Sequence, residues 1–170
     1  EDDEKKQIEQ IGDNPKLSAE ERLKFARMSI QAQWYDLAEK ILKRSSAMPE
    51  SKDISYYVLA RVSEMKNQQN EAIDQFQQVL TGPFHVLSQI RASTLLTDKK
   101  RYDEALTVLS RTQPTDEADR KQILRAKIDV MNRSKHFKES LELLNEKMAT
   151  QPNDVESFYV KSPIEEQWDQ

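Results

Sequence analysis

One nine-residue pattern occurs four times along the chain, at 34–42, 68–76, 101–109 and 136–144. A small residue marks each copy, Ala38, Ala72, Ala105 and Ser140, at separations of 34, 33 and 35 residues. Four positions after each marker stands a large apolar residue, Leu42, Phe76, Leu109 or Leu144, one helical turn along the same face. A period of this length defines a repeat architecture, in which each unit is too small to bury its own apolar face and must stack on its neighbours.

The flanks of the pattern supply the unit's shape. Three residues before the marker come Tyr35, Gln69, Tyr102 and Phe137, and nine to twelve residues after it come Pro49, Pro83, Pro114 and Pro152; a proline there ends a helix. Upstream lies a second helical stretch, as in residues 55–65, whose apolar positions recur at three and four. Each unit therefore reads as a helical hairpin, and the small residue lets its two helices approach closely. Only two glycines, Gly12 and Gly82, occur in 170 residues, which leaves little material for β-turns or phosphate-cradling loops. An all-α chain is expected.

At these residues the sequence resembles the tetratricopeptide repeat (TPR) family, over roughly residues 19 to 152. With the marker as position 20, the family's large residue at 4 is matched by Tyr56 and Leu124, and at 7 by Phe25 and Leu59. The small residue at 8 is matched by Ala26, Ala60 and Ser93. Arg22 and Gln89 depart at position 4, Lys127 at 7 and Ile128 at 8. Gln33, Asn67, Lys100 and Lys135 stand at 15, where the family often has glycine. The resemblance implies a right-handed superhelix, an α-solenoid of about four hairpins, with units near 19–52, 53–85, 86–120 and 121–153.

The ends fall outside the period. Residues 1–17 read as an acidic, flexible or partly helical lead-in, and Ser18 with Glu21 forms a capping box for the first repeat helix. Residues 154–170 read as a partial fifth helix and a tail. In that tail Ile164 and Trp168, four apart, serve as an end cap, as anchors in another copy's groove, or as part of a longer array.

Catalytic chemistry finds no support in the residues. No cysteine is present. The sequence has no GxGxxG, P-loop, GxSxG or HExxH motif, and His85 and His136 are expected to be ordinary surface histidines. We expect no enzyme activity, no metal and no cofactor. A net charge of -4 with dispersed basic residues argues against nucleic acid, and no apolar window is long enough for membrane insertion.

The resemblance implies protein recognition on the concave face lined by the first helix of each hairpin. The family's concave positions nominate Arg27, then Ile54, Tyr57, Arg61 and Glu64, then Leu87, Ile90 and Thr94, and finally Arg125 and Asp129. Ile54, Tyr57, Leu87 and Ile90 make an apolar floor flanked by arginines, suited to an apolar side chain and a carboxylate. The two-carboxylate clamp of chaperone-binding members is matched only at Arg91. Residues 56–62, 91–96 and 154 also resemble bacterial cell-envelope repeat lipoproteins, some of which bring substrates to carboxyl-terminal processing proteases. That likeness implies a periplasmic or outer-membrane-attached adaptor, with a cytoplasmic location as the alternative. The rival readings are a self-associating assembly factor, a homo-oligomer whose tail docks on a neighbouring copy, and a fragment of a larger enzyme.

Overall fold

The computed structural model describes residues 2–150. Among these residues every regular element is helical: α1 (Asp2–Gly12), α2 (Ala19–Gln31), α3 (Tyr35–Ser46), a 3-10 turn (Pro49–Ser51), α4 (Lys52–Met65), α5 (Gln69–Gln77), α6 (His85–Asp98), α7 (Tyr102–Arg111), α8 (Glu117–Arg133) and α9 (Phe137–Thr150). The chain divides into two compact units within α6, between Ala92 and Ser93. The partial fifth helix and the tail anchors Ile164 and Trp168 lie outside the described residues.

In the first unit α2 packs on α3, α3 on α4 and α4 on α5. The core gathers Ala26, Leu37, Ala38, Ile41, Leu42, Leu59 and Val62. The markers Ala38, Ala72, Ala105 and Ser140 are all wholly buried, as expected of residues that set the distance between two helix axes. Serines also permit close approach, and several of the hydroxyl groups they bury find partners. Ser45 and Ser55 bond each other at 2.7 Å between α3 and α4, and Ser63 donates to Gln75 at 2.6 Å between α4 and α5. At the C-terminal end of α4, Lys66 reaches Asp36 at 2.6 Å and Glu39 at 2.9 Å. Its hydrogen bond lowers the Asp36 carboxyl pKa, and the bonds from Lys43 and Lys66 together lower that of Glu39.

In the second unit α7 packs on α8 and α8 on α9, with Ile128 and Leu144 buried among Leu124, Leu141 and Leu143. Lys127, standing where the repeat pattern has a large apolar residue, lines a cavity of about 240 Å³ with Leu109, Leu124 and Leu143. A lysine keeps its head wet and fills less of such a space than a leucine.

The four inter-helix turns share one geometry. The residue after each first-helix cap, Gln33, Asn67, Lys100 or Lys135, is left-handed, with φ of 63°, 59°, 63° and 67°. Gln33 N donates to Ile30 O at 2.9 Å and Trp34 N to Ser29 O at 2.8 Å; equivalent pairs close the other three turns. This crossed pair is the Schellman motif, which satisfies two orphan carbonyls and usually places glycine at the left-handed residue. The missing glycines are therefore tolerated strain, about 1 kcal/mol at each non-asparagine position. Lys100→Gly is expected to raise stability by about 0.5–1 kcal/mol, a gain of a few degrees in Tm, whereas Asn67→Gly gains least because asparagine tolerates this conformation. Thermal melts followed by circular dichroism check the order; a lower Tm for Lys100→Gly would refute it.

The sequence reads the lead-in as flexible or partly helical. Residues 2–12 form α1, which lies against the first hairpin through buried Ile8 and Gly12. A Cβ on Gly12 would stand 3.1 Å from Ile41 Cγ1, so the glycine permits a close approach here. The capping box opens α2 as expected, with Glu21 N donating to Ser18 Oγ at 3.1 Å and Ser18 N donating to Glu21 Oε1 at 3.3 Å. Pro49 and Pro114 follow the ends of α3 and α7 closely, but α5 stops at Gln77, six residues before Pro83. The segment between them shapes the site described next.

Candidate protein-interaction site

Tyr57, Arg61, Glu64 and Met65 lie at i, i+4, i+7 and i+8 on α4, so they share one face. Leu87 and Arg91, four apart on α6, face them, and Phe76 of α5 forms the floor. Together these seven side chains enclose an open cavity of about 410 Å³ within the first unit. Met65 and Leu87 are 48% and 49% exposed, so two large apolar side chains front one depression.

The short α5 explains how the ring at the centre is held. Residues 78–84 turn back under α4, and Asp53 anchors them, accepting from Leu80 N at 2.9 Å and from Thr81 Oγ1 at 2.7 Å. Gly82 has φ of +86°, and a Cβ added there would meet nothing within 4 Å, so glycine is needed for conformation, not for room. The turn delivers Phe84 onto Tyr57, stacked at 4.4 Å and 16°, while Phe76 meets the same ring tilted at 6.2 Å. Such arrangements are favourable beyond the area they bury.

The carbonyls left at the end of α5 are satisfied from α6. Gln89 Nε2 donates to Phe76 O at 3.1 Å and to Val79 O at 3.0 Å, and His85 Nδ1 bonds Val79 O at 2.7 Å. His85 is thus a buried structural histidine, correcting the expectation of a surface one. His136 is exposed at the α8–α9 turn.

Charge in the cavity is uneven. Arg91 grips Glu64 with a fork, its Nε 3.1 Å from both carboxylate oxygens and its Nη2 also bonded to Oε2. Arg61 has no such partner: its guanidinium donates to Tyr57 Oη at 3.3 Å and lies 5.9 Å from the Tyr57 ring centre, with no ion pair to any described residue. The cavity therefore offers an apolar floor beside one cation whose partner is a neutral phenol.

Of the residues nominated from sequence, Tyr57, Arg61, Glu64 and Leu87 converge here. Ile54 and Ile90 are half-buried and do not line the cavity, and Arg27 is exposed on α2. Thr94, Arg125 and Asp129 belong to the second unit. The sequence reading omitted Met65, Phe76 and Arg91. Met65 occupies position 13, one of the family's concave positions; Phe76 was assigned to the core pattern; Arg91 was weighed only as part of a chaperone clamp. No group of three or more metal-ligating side chains occurs among the described residues, and none of their helices is long and apolar enough to cross a membrane.

No protein-family model and no curated protein matches the chain. Among solved structures it is similar to the MamA RS-1 ArsTM double mutant, a TPR-fold protein, at a TM-score of 0.62 over 89% of this chain and 85% of that one, with 16% identity. At that identity the likeness is one of fold, and it agrees with the repeat period, the buried markers and the four shared turns: the chain has a TPR-like, all-helical fold.

Proposed function

We propose that this chain is a non-enzymatic interaction scaffold that seats an apolar side chain of a partner protein between Tyr57, Met65, Phe76 and Leu87 and pairs a partner carboxylate with Arg61. The observation that carries this reading is the coincidence, in one cavity, of two half-exposed apolar side chains with a guanidinium that has no ion pair to any described residue. A monomeric surface gains nothing by presenting that combination to water, whereas an interface centre is built from such anchors. Tyr57 suits an anchor because Phe84 already fixes its ring, so little rotamer freedom is lost on binding.

Recruitment of a processing protease or its substrates in a bacterial envelope is the finer proposal, resting on the resemblance of residues 56–62 and 91–96. One experiment addresses both levels. The tagged chain and its Tyr57→Ala/Arg61→Ala variant are used to capture proteins from a detergent extract of their own cells. The variant is expected to lose at least about tenfold of the captured partner, as for a central hot spot, with unchanged helical content. Equal capture by the variant would sink the site, and capture of proteins with no protease or envelope enzyme among them would remove the finer reading.

A further inference from the structure

We infer that the α4–α6 cavity takes residues 162–170 of a second copy of this chain, with Trp168 in the apolar part and a carboxylate of the same segment on Arg61; this rests on the reading of the cavity as an interaction site. The segment reads Ser-Pro-Ile-Glu-Glu-Gln-Trp-Asp-Gln and carries Glu165, Glu166 and Asp169 with no lysine or arginine. Its side chains bring three negative charges to a depression whose own carboxylate, Glu64, is already held by Arg91. Arg61 is the cation left to answer them, its described contacts being with Tyr57 alone. Ile164 and Trp168 supply two large apolar side chains to cover half-exposed Met65 and Leu87. An indole laid beside Arg61 and Tyr57 adds cation–π and ring contacts to the area it buries.

Segment and cavity are different surfaces of one chain. The contact is therefore heterologous, and each copy that accepts a neighbour's segment still offers its own. Such contacts close into a ring, a reciprocal pair of exchanged segments being the smallest, or run on into longer assemblies as concentration rises.

The test measures mean mass by sedimentation velocity of the full chain over about 1–300 µM, the range for a single small contact. Wild type is expected to grow beyond monomer. Trp168→Ala and Leu87→Asp are each expected to weaken association about tenfold or more, as loss of a central anchor does; Leu87 is half exposed, so its replacement leaves the helical spectrum intact. Mixed one to one, these two variants retain a single good segment and a single good cavity per pair, so their mass is expected to stop at dimer. Arg61→Glu is expected to weaken association as well, and Glu165→Lys/Glu166→Lys on the same chain to restore it. A monomeric wild type, or association indifferent to Leu87→Asp and Trp168→Ala, overturns the inference. A monomer whose cavity binds added peptide 161–170 more tightly once Trp168 is replaced also overturns it, because the segment then folds back on its own chain. If association fails while the Tyr57→Ala/Arg61→Ala variant still loses partner capture, the scaffold reading stands without this occupant; if neither responds, both fall.

Discussion

Phe76→Ala is expected to destabilise the first unit by about 3 kcal/mol, at the lower end of the range for removing a buried phenyl ring. Two terms set that value. The ring is 1% exposed, so its transfer from water is lost almost in full. The cavity term is smaller than usual, because the space opened joins a depression of about 410 Å³ that is already accessible to solvent, and water can enter where a sealed void would stay empty. Tyr57 loses its tilted contact with Phe76 but keeps the stack on Phe84, a difference of about 0.5–1.5 kcal/mol. The bond from Gln89 goes to the Phe76 carbonyl and survives the substitution. Urea unfolding followed by far-ultraviolet circular dichroism measures the loss, and partner capture should weaken in parallel. A cost below about 1 kcal/mol would place the ring outside the core. A full cost with unchanged capture would separate the floor of the cavity from its function.

The hairpins were legible because a repeat states each packing rule four times. Ala38, Ala72, Ala105 and Ser140 announce close helix contacts by spacing alone, and all four are wholly buried. α1 was not legible. It carries no marker, it is rich in charged residues, and its docking depends on Arg22, ten residues beyond Gly12. The turn residues showed the opposite limit: the absence of glycine could be read, but the left-handed φ at Lys100 appears only in the backbone.

The site divides along the same line. Tyr57, Arg61 and Glu64 follow from helical register on α4, and Leu87 from the position one repeat later that is equivalent to Ile54. The pairing of Arg91 with Glu64 spans 27 residues, and the stack of Phe84 on Tyr57 requires α5 to end early. Neither leaves a periodic trace. What the repeat cannot encode is where one unit departs from the others, and the departures build the cavity.

Arg22→Met is expected to cost about 2 kcal/mol and to release α1 while leaving α2 to α5 folded. Arg22 is 4% exposed and stands where the repeat pattern puts a large apolar side chain, so by the pattern alone an apolar residue there is harmless. Its guanidinium, however, donates to Gly12 O at 2.9 Å and to Asn14 O at 2.8 Å, acceptors at the end of α1 where a helix leaves carbonyls unpaired and its dipole negative. Each charge-assisted bond contributes about 1.5–3 kcal/mol. Part of that sum is offset already, since Arg22 Nε is buried without a partner and the charge has been taken out of water. Methionine fills the volume and removes those costs, but it leaves Asn14 O with only Leu17 N at 3.2 Å and Gly12 O with only Arg44 Nη1 at 3.3 Å. The ion pairs of Lys40 with Glu9 and Asp13, and of Arg44 with Asp13, are solvent-exposed and add at most a few tenths of a kcal/mol each. Since α1 buries only Ile8 and Gly12, little else holds it. Amide exchange of residues 2–12 should therefore accelerate about 30-fold, the factor that corresponds to 2 kcal/mol, with a much smaller change in α4. Gln89 makes the comparison internal: it occupies the same repeat position and performs the same task for the end of α5, yet His85 also serves Val79 O. Gln89→Met should thus cost less than Arg22→Met, and the reverse order would show that α1 is held by its exposed ion pairs instead.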